Sequence, residues 1–244
     1  MLHPASAFAL SAALFFITAC KKDKDDPHPK PTPPSAVITV TDIDGNTYST
    51  VTIGSQVWMA ENLRTTKYRD GTTIPHVAEV GAWVQLTTDA WCHYENNGSL
   101  DTIYGKLYNW YAAANPMICP LGWHVPTDAE WQQLEAILGM PTGILDQIGY
   151  RGALQNVGGK MKATTLWIGP NIGATNESGF SALPGGGRLY NGEFGGQGQD
   201  GAWWSGSEEG LDEAWDRVVN SNGAGIGRHY NSKRDGICVR CVRD

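Results

Sequence analysis

No run of apolar residues in this chain is long enough for a comfortable membrane span; the longest, at the N-terminus, has an apolar core of about 15 residues. Basic residues are outnumbered, 18 Lys and Arg against 25 Asp and Glu, and the formal net charge is -7. No basic stripe occurs, which makes nucleic acid a poor candidate partner. The histidines are His3, His28, His76, His93, His124 and His229, and none forms H-x-H or H-E-x-x-H. A zinc site therefore has no support. A G-x-S-x-G nucleophile elbow is also missing. Only one C-x-x-C occurs, with no cysteine between Cys119 and Cys238. No internal repeat is visible. Metal and cofactor are accordingly both expected to be none.

What the chain does have is glycine, 30 residues, and tryptophan, 10 residues, with 41% hydrophobic and 18% charged residues. That profile fits a soluble globular fold of short strands and many turns, packed with flat aromatic rings. Residues 1–20 carry no charged side chain, so the Lys or Arg of a signal n-region is missing, but the segment ends Ile17-Thr18-Ala19-Cys20. This junction resembles a bacterial lipobox, which implies residues 1–19 as a signal peptide and acylation at Cys20. Lys21 to Asp26 resembles the charged surface-export signal of Bacteroidetes-type lipoproteins and serves equally well as a solvated spacer. Pro27 to Pro34 favours an extended stalk. Residues 20–36 are thus anchor and linker, and residues 37–244 are one domain. The expected address is the outer membrane, lipid-anchored and facing outward.

Within the domain, Val37–Val40, Thr47–Ile53 and Gln56–Met59 read as a three-stranded meander, with turns at Asp44-Gly45 and Gly54-Ser55. Asp42, Asp44 and Asn46 are spaced like calcium ligands. The EF-hand positions for Gly and Glu hold Thr47 and Ile53, so turn chemistry is the better reading. Tyr104–Asn115 shows helical periodicity, with Leu107, Trp110, Tyr111 and Ala114 on one face and Pro116 as its stop. Asp128–Leu138 is a second helix, with Trp131, Leu134, Ile137 and Leu138 inward and Gly139 closing it. Its start is marked by Thr127 as N-cap and Glu130 three residues on, a capping box. Later segments read as strands between Gly- and Asn-rich loops: Gly158–Lys162, Phe180–Pro184, Trp203–Ser207, Ala214–Val219 and Ile237–Val242.

Four cysteines follow Cys20: Cys92, Cys119, Cys238 and Cys241. In an exported protein they are expected to form disulfides, with three connectivities open. Cys238 and Cys241 would face opposite sides of a strand and should not pair with each other. His124, in the turn before the capped helix, reads as a hydrogen-bonded structural residue. Glu208, Glu209, Asp212 and Glu213 read as a solvated acidic face rather than a glycosidase pair. The aromatics Tyr190, Phe194, Trp203, Trp204, Trp215 and Tyr230 border the Gly-rich loops and are the candidate ligand-binding residues, since flat rings stack on sugars. For each ring singly, core packing is the commoner fate. In Trp203-Trp204, strand alternation predicts one ring inside and one outside.

Three stretches carry a family resemblance: Asp42–Tyr48 with Gln56–Leu63, Tyr104–Tyr111, and Ala182–Gly186 with Trp203–Ser205 and Val239–Val242. Together they resemble the FISUMP family (Fibrobacter succinogenes major paralogous domain) across nearly all of residues 40–244. Those proteins are secreted or surface lipoproteins. More distantly, Val125–Trp131 is similar to the R-L-P-T-E-A-E-W stretch of formylglycine-generating-enzyme-like domains. The implied fold is α+β and C-type-lectin-like: two helices packed on a twisted, mostly antiparallel sheet with long Gly/Asn-rich loops. That fold pairs a cysteine near the first helix with one in the last strand, which carries over to Cys119–Cys241 and leaves Cys92–Cys238. The copper-binding cysteine pair of the formylglycine-generating enzymes has no counterpart here. The E-P-N and W-N-D sugar motifs of calcium-dependent lectins are absent as well.

The resemblance and the residues together point to a surface-displayed, non-catalytic binding or adhesion module for a carbohydrate or protein ligand. The expected site lies around Gly185–Gly201 and Asn220–Asn231, and no catalytic residue is expected. A diverged formylglycine-generating-like oxidoreductase or hydrolase, or a structural envelope component, are the alternatives.

Overall fold

The computed structural model describes residues 38–244, the whole of the expected domain apart from its first residue. The leader, Cys20 and the Pro-rich linker lie outside the described residues. The chain begins with the expected meander, β1 (Thr39–Thr41), β2 (Thr47–Ile53) and β3 (Gln56–Met59). The β2–β3 turn is two residues long, and Ile53 stands opposite Gln56. Gly54 takes φ +62° there, and a Cβ on it would run into Ile137. The positive φ of the turn favours glycine, and a side chain there would also have to displace the end of Ile137. The Asp42 carboxylate closes the first turn. It accepts from the backbone N–H of Asp44 and Asn46 at 3.0 and 2.9 Å and from the Tyr48 hydroxyl at 2.6 Å. This is turn chemistry, with the acceptor already occupied.

A run of short elements follows: α1 (Val80–Trp83), β4 (Trp91–Cys92), α2 (Asp101–Tyr104), β5 (Leu107–Tyr108) and α3 (Trp110–Ala113). The single helix expected over Tyr104–Asn115 is not formed. Gly105 takes φ +79° and ψ -176°, which ends α2, and its backbone sits where a Cβ would press on Asn62. Leu107 and Tyr108 then pair with β4. The Asn109 side chain caps α3 by accepting from the Ala112 N–H at 3.1 Å.

β6 (Trp123–His124) leads into the one long helix, α4 (Asp128–Ile137), close to the expected span. The capping box is present: the Glu130 N–H donates to Thr127 Oγ1 at 3.3 Å, and the Thr127 N–H donates to Glu130 Oε2 at 2.8 Å. Trp131 and Leu134 point inward as expected, whereas Ile137 is 44% exposed. Glu135 is buried instead, because Arg151 and Arg217 clamp its two oxygens, each at 2.5 Å. Asp128, the first residue of α4, holds Arg228 and Arg217 at 2.9 and 2.8 Å. These arginines pull its carboxyl below the usual range against the opposing effect of burial.

After β7 (Gly149–Arg151), the expected strand at Gly158–Lys162 is a short helix, α5 (Val157–Met161). Side chains on Gly158 and Gly159 would collide with the carbonyls of Gly225 and Gly173. The glycines serve close backbone approach rather than a strand. Phe180–Pro184 contributes only a bridge between Lys162 and Ala182. The rest is β: β8 (Gly185–Arg188), β9 (Phe194–Gln197), β10 (Asp200–Glu208), β11 (Glu213–Asn220), β12 (Ile226–Ser232) and β13 (Val242–Arg243). The segment expected as a strand over Ile237–Val242 makes isolated bridges at Ile237 and Cys238 before β13.

The strands form a five-stranded sheet, β1-β2-β3-β13-β6, a four-stranded sheet, β10-β11-β12-β7, and two ribbons, β4-β5 and β8-β9. Among the described residues the named strands all pair antiparallel, and isolated parallel bridges occur at His76–Trp91, Lys162–Ala182 and Trp203–Cys238. Among the described residues the architecture is mostly β, with one helix longer than five residues rather than the two expected. Trp203 and Trp204, adjacent on β10, are both fully buried. The expectation that one ring faces solvent fails because β10 runs between two hydrophobic cores. Trp203 joins Trp58, Trp131 and Phe180 in one; Trp204 joins Tyr48, Tyr108 and Val239 in the other. Burying Trp on both faces of one strand is how so short a chain uses so many of them.

Cys119 and Cys241 are bonded, tying the approach to α4 to the final segment across 122 residues of sequence. The second expected pair is not formed: Cys92 and Cys238 are free and buried. Their surroundings differ. The Cys238 thiol points to the Tyr104 carbonyl at 3.6 Å. Cys92 lies beside the Arg188 guanidinium, which works against the burial that pushes its thiol up to about 12. Burial pushes Cys238 to about 12 as well. Thiols held so far from ionisation are poor nucleophiles and poor metal ligands.

Candidate ligand pocket

The β10–β12 sheet presents two chemically different faces, and strand register decides which residue goes where. Trp204 stands opposite Asp216, and Asp216 opposite His229. Asp200, Ala202, Asp216, Val218, His229 and Asn231 therefore share one face with Tyr150, which pairs with Gly227. The opposite face carries Trp203, Arg217, Arg228 and Arg151 and meets α4 through Glu135 and Asp128.

Over the first face lies the β8–β9 ribbon. Its glycines allow close stacking: Gly186 has φ +63°, and a Cβ there would strike the Gly195 carbonyl. The stretch expected as a loop, Gly185–Gly201, is thus largely this ribbon. Between ribbon and sheet is a pocket of ≈ 400 Å³. Its apolar wall comes from Ala202, Val218, Leu189 and Ile237, and its polar groups are Asp200, Asp216, Asp235, Asn231 and Tyr150. The size falls within the range of small-ligand sites.

Asp216 is the innermost of the acids and fully buried. The Asn231 amide donates to its Oδ2 at 2.5 Å, and its Oδ1 has no hydrogen-bond partner. Burial pushes its carboxyl up to about 7, against the pull of Asn231 and Arg217. Asp235 is pushed up to about 6 by burial, partly offset by the Tyr190 N–H, which donates to its Oδ1 at 2.5 Å. Burial also raises Asp200. His229 lies edge-on to Tyr150, ring centroids 5.2 Å apart, and burial lowers its pKa, assisted by Arg151 and Arg217. Such shifted carboxyls in a concavity are the usual mark of a functional site.

The candidate aromatics are dispersed. Trp203 and Trp204 are core residues whose indole N–H groups donate to Asn62 Oδ1 and the Tyr108 carbonyl, each at 2.8 Å. Phe194 packs on Tyr94 beneath the Arg188 guanidinium. Trp215 is covered by Arg228 at 3.4 Å and met edge-on by Tyr230, which is 39% exposed. Tyr190 alone lines a concavity, a more open groove of ≈ 440 Å³ shared with Leu211, Asp212, Glu213, Ser232 and Arg234. The ribbon pocket is the stronger candidate, because the groove lacks a buried polar group without a partner. Glu208, Glu209, Asp212 and Glu213 are exposed at the β10–β11 turn, a solvated face as expected. His124 bridges Glu130 at 2.8 Å and Asp244 at 2.6 Å, the structural role expected of it.

Of the polar pocket residues, Asp200 and Asn231 fall within the two stretches expected to hold the site, though neither was singled out, and Tyr150, Asp216 and Asp235 lie outside them. For Asp216 a signal exists. It is a carboxylate in the middle of a strand whose neighbours Ala214 and Val219 are fully buried, where an apolar residue is the default. Among the described residues, no cluster of His, Cys, Asp and Glu is arranged to hold a metal ion.

Fold and pocket together define a mostly β, disulfide-tied domain with a small acid-lined pocket under a glycine ribbon. A family model described as the Fibrobacter succinogenes major domain matches residues 51–243. The chain belongs to that family. No curated protein and no solved structure gives a significant match.

Proposed function

We propose that this protein is a non-catalytic binding module whose ligand seats in the pocket between the β8–β9 ribbon and the β10–β12 sheet. The observation that carries the reading is the buried Asp216 Oδ1, an acceptor without a donor in a concavity of small-ligand size. An orphaned buried acceptor is costly unless a ligand satisfies it. A carbohydrate suits the lining: its hydroxyls donate to the acids, and its apolar faces lie on Val218, Ala202 and Tyr150. The lipobox-like junction at Cys20 and the linker that follows support display on a membrane surface. A C-type-lectin-like arrangement is supported by the capped helix after β6, the Cys119–Cys241 bond and the pairing of β13 beside the opening hairpin. The enzyme alternative has one observation in its favour, the Asp216 carboxyl held near neutrality, as a general acid requires.

Screening the protein against a glycan array and a set of surface-protein partners tests the reading, with product analysis of every bound glycan. Retention without turnover, lost in Gly195→Trp, is expected. Gly195 lines the pocket, and nothing lies within 4 Å of a Cβ built on it, so a bulky ring is accommodated at the rim without a clash at its root. Binding unaffected by that substitution places the ligand elsewhere, and cleaved products favour the enzyme.

A further inference from the structure

The pocket acids come from different segments, and among the described residues none of the three takes part in a salt bridge. The nearby cations are committed elsewhere. Arg188 donates to the carbonyls of Gly192, Val77 and Ala78 and lies over the rings of Trp83 and Phe194. Arg217 follows Asp216 in sequence but projects from the other face of the sheet into Glu135 and Asp128. Arg234 donates to the Val84 carbonyl, and Lys233 donates to the carbonyls of Gly210 and Leu211. None of the three carboxyl groups is ion-paired: Arg188 lines the pocket but spends its donors on carbonyls, Arg217 and Arg234 act on Asp216 and Asp235 without pairing with them, and the Oδ1 of the deepest acid makes no hydrogen bond. A buried carboxyl group without a partner holds its proton instead of its charge, so a cation brought from outside is what lets the acids of this site ionise.

We infer that the pocket takes a small ligand bearing a primary ammonium group, which docks among Asp200, Asp216 and Asp235. The inference rests on the pocket being the ligand site. An ammonium supplies up to three donors. One meets Asp216 Oδ1, whose partner oxygen is already held by Asn231, and the others reach Asp200 and Asp235. The body of the ligand rests on Val218, Ala202 and the ring of Tyr150. A hydroxyl satisfies the orphaned acceptor, whereas an ammonium also stabilises the ionised form of the acids that burial disfavours. An amino sugar and a lysine side chain both present this group.

Calorimetric titration of the purified protein at pH 7 with glucosamine, glucose, N-acetylglucosamine and Nα-acetyl-lysinamide separates the cases. At least one amine should bind about ten-fold or more tighter than the neutral sugars, the scale of one well-placed charge pair. Asp216→Asn, nearly isosteric, should remove that preference while keeping a cooperative thermal transition. Asp235→Asn tests the same point from a second segment. Glucosamine binding without Nα-acetyl-lysinamide identifies a sugar-borne amine, and the reverse identifies a peptide-borne one. Amines and neutral sugars binding equally, with Asp216→Asn unchanged, overturns the ammonium while leaving the pocket as the site. Binding that survives Gly195→Trp overturns the pocket and the inference with it. No binding by either amine overturns the inference.

Discussion

Asp216 is where burial and charge conflict most directly. Its carboxyl is raised to about 7 in the folded chain against an ordinary value of 3.8, so the folded state keeps a proton that the unfolded state releases. Stability from this group is therefore present at low pH and is lost as pH rises from about 4 to about 7. Asp216→Asn removes the titration. The difference in melting temperature between variant and wild type should move in the variant's favour across that window, read by scanning calorimetry from pH 4 to 8. A constant difference would show that Asp216 does not titrate there. His124 runs the opposite way. Burial lowers its pKa, but the hydrogen bonds to Asp244 and Glu130 outweigh that and raise it. Its contribution is complete below the unfolded value of about 6.5 and is lost as pH climbs through the raised one. His124→Gln should destabilise more at pH 5.5 than at pH 9, and equal losses at both would place the neutral ring in the bridge. Thr127→Ala should cost about 1 kcal/mol through the lost cap, read as a shifted denaturation midpoint with an unchanged slope.

α4 shows how much of an element a sequence reveals and where that stops. Its start was legible because a capping box is local chemistry, two side chains reaching three residues along the chain. Its burial was only partly legible. Periodicity placed Ile137 inside, yet the structure buries Glu135, since the partners that make this possible, Arg151 and Arg217, lie 16 and 82 residues away. Removing one partner of such a network leaves a buried charge unpaired. Glu135→Ala should accordingly destabilise by roughly 3–5 kcal/mol, measured by urea denaturation, and a loss below 1 kcal/mol would show that the arginines relax to solvent. The missing helix over Tyr104–Asn115 teaches the converse. Its apolar spacing was helical, but Gly105 and Asn109 break it at positions where long-range contacts, Tyr108 with Ile237 among them, reward extension. Gly105→Ala should be strongly unfavourable, because that φ and the nearness of Asn62 both exclude a Cβ.

Across the whole molecule, one covalent bond joins regions that the sheets alone connect only through β6 and β13. The closed loop is long enough that Cys119→Ser with Cys241→Ser should lower stability by roughly 5 kcal/mol in the chain-entropy model. Peptide mapping of the unreduced protein should recover Cys119 linked to Cys241, with Cys92 and Cys238 as thiols. Beyond the described residues, Cys20→Ser should abolish metabolic palmitate labelling; unchanged labelling would sink the lipid anchor. The meander, the capped helix, the strands at Trp203 and Ala214 and the family were all set by the sequence itself, through signals that act over a few residues: turn glycines, caps, alternation and ordered motifs. Tertiary structure decided which face of β10 met which core, why both Trp203 and Trp204 are buried, and why Asp200, Asp216 and Asp235 surround one pocket. Those outcomes depend on a strand covered on both sides and on segments brought together from different parts of the chain. Hydrophobic pattern along one strand records that a residue is apolar or polar, and carries no information about what will be laid over it.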